Sequence, residues 1–311
     1  MDTGRLADDL QAWLRRQYGA TAQVGDIFVY PGGASNLTCR VALVGAPWEM
    51  AVLRVQRERG IFEPYDVLRE ARVLRGLAAS EVPVPKVYAQ GDASAGLGAP
   101  FVLLECVDAP HMGEAPPGEA SFPAFAAMVA RLHGLPWREL GFGWLGVPAT
   151  PAAGVLAELA AIEARRARFV PAGEPLLKDA LARLAEAVPD DGRLGLCQGD
   201  INVFNYLVRG GQVVSVVDWE QARISDPRSD VGQLIALSHL KGAPWGPADQ
   251  QPFAQVYRAA GGAAEGLAFF RARWLADLGV ITYGWRAFNG SEPWWEWDHL
   301  VELLGRAIGE L

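Results

Sequence analysis

Cysteine is scarce in this chain and does not cluster: Cys39, Cys106 and Cys197 are the three in 311 residues. An odd number so widely spaced, with no CxxC and no Cys/His grouping, disfavours both a disulfide framework and a zinc site. Long hydrophobic runs are also missing. Stretches such as 122–130 end in charges like Arg131, well short of the roughly 18 apolar residues that a membrane span needs. The first nine residues hold three aspartates and lack the basic and apolar segments of a secretory signal. Positive charge is not in excess either. A formal net charge of −8 gives no overall attraction to nucleic acid or to an anionic membrane. Internal repeats and low-complexity tracts are absent. The expectation is a cytoplasmic protein with neither nucleic acid nor membrane as a partner.

What is present is a globular balance, 50% hydrophobic and 21% charged, in a chain long enough for one large or two cooperating domains. Residues 26–30, 36–43, 48–55 and 101–106 read as strands bounded by Gly, Pro or polar clusters. One helix interrupts them over 65–79, with apolar residues at helical spacing, and the Pro-rich stretch 82–85 stops it. Beyond Ala109 the character changes to Ala/Leu-rich helical patterns at 121–135, 152–168, 175–187, 229–240, 252–260 and 264–285. Among these sits a hairpin, 206–208 and 213–217, joined by Gly210-Gly211. The fold class is α+β: a small sheet-containing domain over 1–106, then a larger, mainly helical one over 107–311.

The chemistry-bearing residues stand at the open end of that hairpin. Asp200 is followed five positions later by Asn205, and thirteen further on comes Asp218-Trp219-Glu220. Phosphoryl transfer needs a carboxylate to accept the proton of an attacking hydroxyl and oxygen ligands to hold magnesium across nucleotide phosphates. A loop Asp and Asn entering a hairpin, with a second Asp leaving it, gathers those side chains at one end. An Asp-x4-Asn pair alone would arise by chance in a chain this long; the hairpin, the second Asp and the later Asp226-Pro227 and Asp230 argue against coincidence.

Gln198-Gly199-Asp200 to Asn205, Asp218-Trp219-Glu220 and Asp226-Pro227 to Asp230 together resemble the aminoglycoside phosphotransferase and choline kinase superfamily, whose signature reads H-G-D-x-x-x-x-N, then D-W-E, then G-D-P-x-x-D. The resemblance implies a protein-kinase-like fold of two lobes, with Asp200 as catalytic base, Asn205 and Asp218 as magnesium ligands, and Asp230 bracing the catalytic loop. The usual His is Gln198 here. The resemblance further implies that Gly32, Gly33, Ser35 and Asn36 form a nucleotide loop and that Arg54 contacts phosphates while paired with Glu70. Glu70 has Val67, Val73 and Leu74 as helical neighbours, the surroundings of an inward-facing carboxylate that requires a partner. Residues Glu105 to Val107 would hold the adenine. HRD, DFG and APE signatures of protein kinases are missing. The expected activity is transfer of a phosphoryl group from ATP, or GTP, with magnesium, to a hydroxyl of a small cationic or sugar-like molecule. A nucleotide-binding scaffold without catalysis is the second reading. His133, near a helix end, and the Trp-rich stretch 285–299 read mainly as packing.

Overall fold

The computed structural model describes residues 3–30, 35–116, 118 and 120–311. The chain divides into two compact units, one of residues up to Ala79 with Val84–Asp108, the other of Ser80–Pro83 with Ala109–Leu311. No helix among the described residues is long and apolar enough to cross a membrane.

The first unit opens on a helix outside the sequence expectation, α1 (Thr3–Tyr18). Its Leu6, Leu10, Trp13 and Leu14 recur at helical spacing and are buried. Strands β1 (Gln23–Val29), β2 (Leu37–Val44) and β3 (Met50–Val55) follow, then α2 (Val67–Leu77), β4 (Val87–Gly91) and β5 (Phe101–Glu105). The strands form one antiparallel sheet in the order β1-β2-β3-β5-β4. Alternation along β3 separates its two faces. Ala51, Leu53 and Val55 join the apolar residues of α1 in one core with Cys39, Val41 and Phe101. Trp13 meets Phe101 edge-on there, with ring centroids 5.2 Å apart. Arg54 belongs to the other face, and so meets α2. That helix starts where the Asp66 carboxylate accepts the amide of Arg69 at 2.9 Å, and it buries Glu70 beside Val67, Val73 and Leu74.

The second unit begins with α3 (Phe122–His133), α4 (Pro151–Phe169) and α5 (Pro175–Glu186). Ser121 and Thr150 cap the first two, each accepting a backbone N–H of the opening turn. Four short strands come next: β6 (Gly195–Cys197), β7 (Tyr206–Arg209), β8 (Gln212–Val216) and β9 (Arg223–Ser225). Then come α6 (Arg228–Ser238), α7 (Pro247–Ala259), α8 (Leu267–Asn289) and α9 (Trp297–Gly309). Helix α7 starts five residues earlier than its pattern suggests, because the Asp249 carboxylate accepts the amide of Gly246 at 2.9 Å and Pro247 suits a first helical position. Pro252 therefore lies inside the helix.

Strands β7 and β8 form the expected hairpin. Gly210 and Gly211 both take positive φ, 57° and 74°, as a two-residue turn of matching twist requires. Strand β6 pairs antiparallel with β9, Cys197 opposite Arg223. The end of β6 thus lies beside the start of β9, and α6 begins beside Gly195 at the start of β6, from where its first turns reach the loop that follows β6, which is what positions the site.

Candidate active site

Helix α6 supplies the frame for the loop that follows β6. Asp230, in its first turn, accepts the backbone amides of Gln198 at 2.8 Å and Gly199 at 3.2 Å. One helical turn on, Gln233 accepts the amide of Ile201 at 2.7 Å and donates its own side-chain amide to Asp200 Oδ1, also at 2.7 Å. Residues i and i+3 share a helix face, so this one stripe holds both the backbone of the loop and the carboxylate it carries. Gln233 is a site residue outside the sequence expectation. Its signal, a polar side chain one turn after Asp230, is recognisable only once the helix is known to face the loop.

Gly199 makes the turn possible. Its φ is +90°, and a β-carbon there would come within 2.3 Å of the Gln221 carbonyl oxygen. Gly199→Ala is expected to cost about 1–3 kcal/mol through backbone strain and to slow turnover, checked by urea unfolding beside an activity assay.

Asp200 accepts from three side-chain amides. Besides Gln233, Asn202 reaches Oδ1 at 3.2 Å and Asn205 reaches Oδ2 at 3.0 Å, the last also donating to the Asp200 carbonyl at 2.7 Å. Protein surrounds the carboxylate, though part of the residue still meets solvent. Burial, and next the nearby charge of Asp218, push its pKa above the usual carboxylate range, while the three amides pull the other way. Asp218 arrives from the far strand of the hairpin: the Val217 amide donates to the Asn205 carbonyl at 2.9 Å and closes the hairpin base. Among the described residues Asp218 is the one non-glycine with positive φ, 62°. Such backbone is costly for an ordinary side chain and persists where the surroundings impose it. Here Trp219, fully buried, donates its indole N–H to the Val216 carbonyl at 2.9 Å and anchors the turn.

A divalent cation suits this donor set. The Asn205 amide nitrogen is committed to Asp200, which leaves its oxygen for a ligand, and Asp218 adds a carboxylate whose repulsion of Asp200 a cation would relieve. Among the described residues no group of three or more His, Cys, Asp and Glu could hold a metal alone. One carboxylate and one amide oxygen are instead the sparse set typical of magnesium, which keeps its remaining positions for water and phosphate oxygens.

In the first unit Arg54 Nη1 donates to Glu70 Oε1 at 2.6 Å, both residues being buried. Asn36 is buried just before β2, and its side-chain oxygen accepts the amide of Arg57 at 3.4 Å; Ser35 is buried beside it. Gly32 and Gly33 lie outside the described residues. Glu105, at the end of β5, donates its amide to the Lys86 carbonyl at 2.8 Å and accepts the Lys86 amide on its carboxylate at 3.2 Å. Its backbone N–H is thus already used, and Val107 follows in irregular chain.

His133 is more closely tied to the loop than its sequence context suggests. Buried at the end of α3, its Nε2 lies 3.2 Å from Asp230 Oδ2 and its Nδ1 lies 2.7 Å from the Tyr257 hydroxyl. With Nε2–H donating to the carboxylate, Nδ1 accepts from Tyr257. The tryptophans of 285–299 divide: Trp295 is buried, its indole donating to Thr282 at 2.9 Å, and Trp294 is exposed. Glu292 and Glu296 are engaged by Arg286 and Lys241.

A buried charge network lies behind β9. Glu158 on α4 meets Arg223 at 3.0 Å and Arg273 on α8 at 2.9 Å, and accepts the hydroxyls of Ser225 and Ser229 at 2.5 and 2.6 Å. Burial works against its charge, yet Arg223 and Arg273 overcome this and hold its carboxyl down at about 2.

Comparison with known proteins agrees with this architecture. A proposed aminoglycoside phosphotransferase from Ralstonia eutropha JMP134 has a similar solved structure, with a TM-score of 0.72 and 20% identity over 99% of this chain and 98% of that one. A thermostable mutant of aminoglycoside phosphotransferase APH(4)-Ia, solved as a ternary complex with ADP and hygromycin B, is similar with a TM-score of 0.60 and 16% identity, covering 97% of this chain and 98% of that one. Mouse acyl-CoA dehydrogenase family member 10 is 27% identical over 251 residues, 75% of this chain, and the chain spans only 22% of that curated relative. The α+β fold expected from the sequence is therefore the protein-kinase-like fold of aminoglycoside phosphotransferases. Residues 26–290 match the model of the phosphotransferase enzyme family, and the chain belongs to that family.

Proposed function

We propose that this chain transfers the terminal phosphoryl group of ATP, or GTP, to a hydroxyl of a small molecule, with magnesium as cofactor. The observation that carries the reading is the seating of Asp200, whose carboxylate is fixed by three amide donors while the charge of Asp218 stands close by. Asp200 orients the acceptor hydroxyl and takes its proton. Asn205 and Asp218 hold magnesium, which when bound offsets charge on the phosphates. Arg54, kept in place by Glu70, meets the phosphates with a guanidinium that stays ionised and can bond in bidentate fashion. Asn36 and Ser35 serve the phosphate-binding loop, and the backbone of residues 105–107 receives the adenine through groups other than the Glu105 amide. ADP bound to the related APH(4)-Ia mutant supports a nucleotide donor, and the hygromycin B of the same complex supports a small-molecule acceptor.

The test is transfer from labelled ATP or GTP to a panel of amino sugars, other antibiotics, amino alcohols and sugars. Transfer should occur to at least one class, stop when EDTA removes magnesium, and return when the metal is restored. Binding of magnesium nucleotide without transfer to any acceptor would favour a non-catalytic scaffold and end the proposal.

A further inference from the structure

Gln198 stands where the related signature carries histidine, and the structure gives its amide two partners. Nε2 donates to the Val217 carbonyl at 2.7 Å, and Oε1 accepts the Tyr206 hydroxyl at 2.9 Å. Val217 immediately precedes Asp218, and Tyr206 immediately follows Asn205. The Val217 amide in turn donates to the Asn205 carbonyl at 2.9 Å. Three hydrogen bonds therefore close a ring: Asn205 carbonyl to Val217, Val217 carbonyl to Gln198, Gln198 oxygen to the Tyr206 hydroxyl. One peptide bond from Tyr206 back to Asn205 completes it. Gln198 and Tyr206 are both fully buried, so water cannot readily replace either bond. Phe125 packs edge-on against Tyr206 with ring centroids 4.6 Å apart, which limits where the hydroxyl can point.

From this ring we infer that Gln198 and Tyr206 together are positioning residues for the two cation ligands, setting the separation of Asn205 and Asp218 and holding Asp218 in its left-handed backbone conformation. Neither touches the reacting groups. Glutamine suits the task because one neutral amide offers a donor and an acceptor at once. Tyrosine at the first position of β7 supplies the hydroxyl that completes the circuit from inside the hairpin. The inference rests on the magnesium-dependent reading given above.

The test measures Mn2+ binding in the presence of ADP, by calorimetry or electron paramagnetic resonance, beside phosphoryl transfer. Gln198→Ala should weaken Mn2+ binding by about 10- to 100-fold, the usual effect of removing a group that orients a metal ligand. Tyr206→Phe, which keeps the packed ring and removes only the hydroxyl, should weaken it by a smaller factor. The double variant should be no worse than Gln198→Ala, since the one bond that Tyr206→Phe removes is already lost in Gln198→Ala. Gln198→His should recover most of the affinity, because an imidazole can donate to Val217 and accept from Tyr206. Wild-type Mn2+ affinity in Gln198→Ala, with only the melting temperature lowered, would reduce the pair to a structural role and overturn the inference. If Gln198→Ala fails to fold, unchanged affinity in Tyr206→Phe would overturn it instead. Wild-type protein that binds Mn2+ with ADP but transfers nothing would sink the proposed reaction and leave the ring to be judged on binding; wild type that binds no Mn2+ with ADP would sink both.

Discussion

Asp200→Ala is expected to lower the transfer rate by about 10²- to 10⁴-fold, the range general-base catalysis commonly contributes, without lowering the melting temperature. The two halves of that outcome have different causes. Rate is lost because nothing else in the loop can take a proton from the acceptor: Gln233, Asn202 and Asn205 all meet the carboxylate as donors. Stability is kept because folding works against this charge. Burial and then the neighbouring Asp218 raise the Asp200 pKa. A carboxylate with a raised folded pKa costs stability above its unfolded pKa, and relief of that cost offsets the loss of an acceptor for three amides. Steady-state rates at saturating nucleotide, paired with thermal unfolding, check both halves. Turnover equal to wild type would remove Asp200 from the mechanism.

Glu158→Gln should have the largest effect on stability, a loss of about 3–5 kcal/mol, as when one partner of a buried ion pair is removed. Arg223 and Arg273 converge on Glu158 from β9 and α8, and both guanidinium groups are largely withdrawn from solvent. Neutralising the anion takes the nearest counter-charge from two buried guanidinium groups, each of which keeps only a more distant carboxylate, Asp230 at 3.9 Å from Arg223 and Asp277 at 3.8 Å from Arg273. The same residue sets an acid limb. Its folded pKa of about 2 lies below the unfolded value near 4.3, so its contribution is fully present above about pH 4.3 and is lost as the pH falls toward 2. Urea unfolding at neutral pH and near pH 3 should show a smaller difference between wild type and variant at the lower pH. A constant difference would mean that Glu158 does not titrate as its surroundings imply.

Legibility in the sequence followed the distance over which each feature is encoded. The hairpin was readable because Gly210-Gly211 and its flanking β-branched residues are local, and the inward carboxylate of Glu70 because its apolar neighbours fall at helical spacing. The opening helix α1 carries the same kind of spacing in Leu6, Leu10, Trp13 and Leu14, whose burial against the sheet shows only in the fold. Strands β6 and β9, three residues each, are too short to show any period and exist because they pair with each other. The grouping of Glu158, Arg223 and Arg273 has no sequence spacing at all, being assembled from α4, β9 and α8. His133 looks like a packing residue for a similar reason: its partner Asp230 is 97 residues away. The candidate site was legible wherever one loop and one hairpin carry it. What supports it from α3 and α6 became visible only with the fold.

The hairpin that brings Asp218 back to Asn205 is fastened at its base by the Val217 amide and by the amide of Gln198. Its far end, at Gly210-Gly211, takes no part in that fastening. Chain length at the tip is therefore decoupled from the spacing of Asn205 and Asp218, since lengthening a turn costs little once its stem is secured. The tip is a natural port for a fluorophore or a short affinity peptide, a place to attach a reporter of the proposed nucleotide binding without disturbing the base of the hairpin.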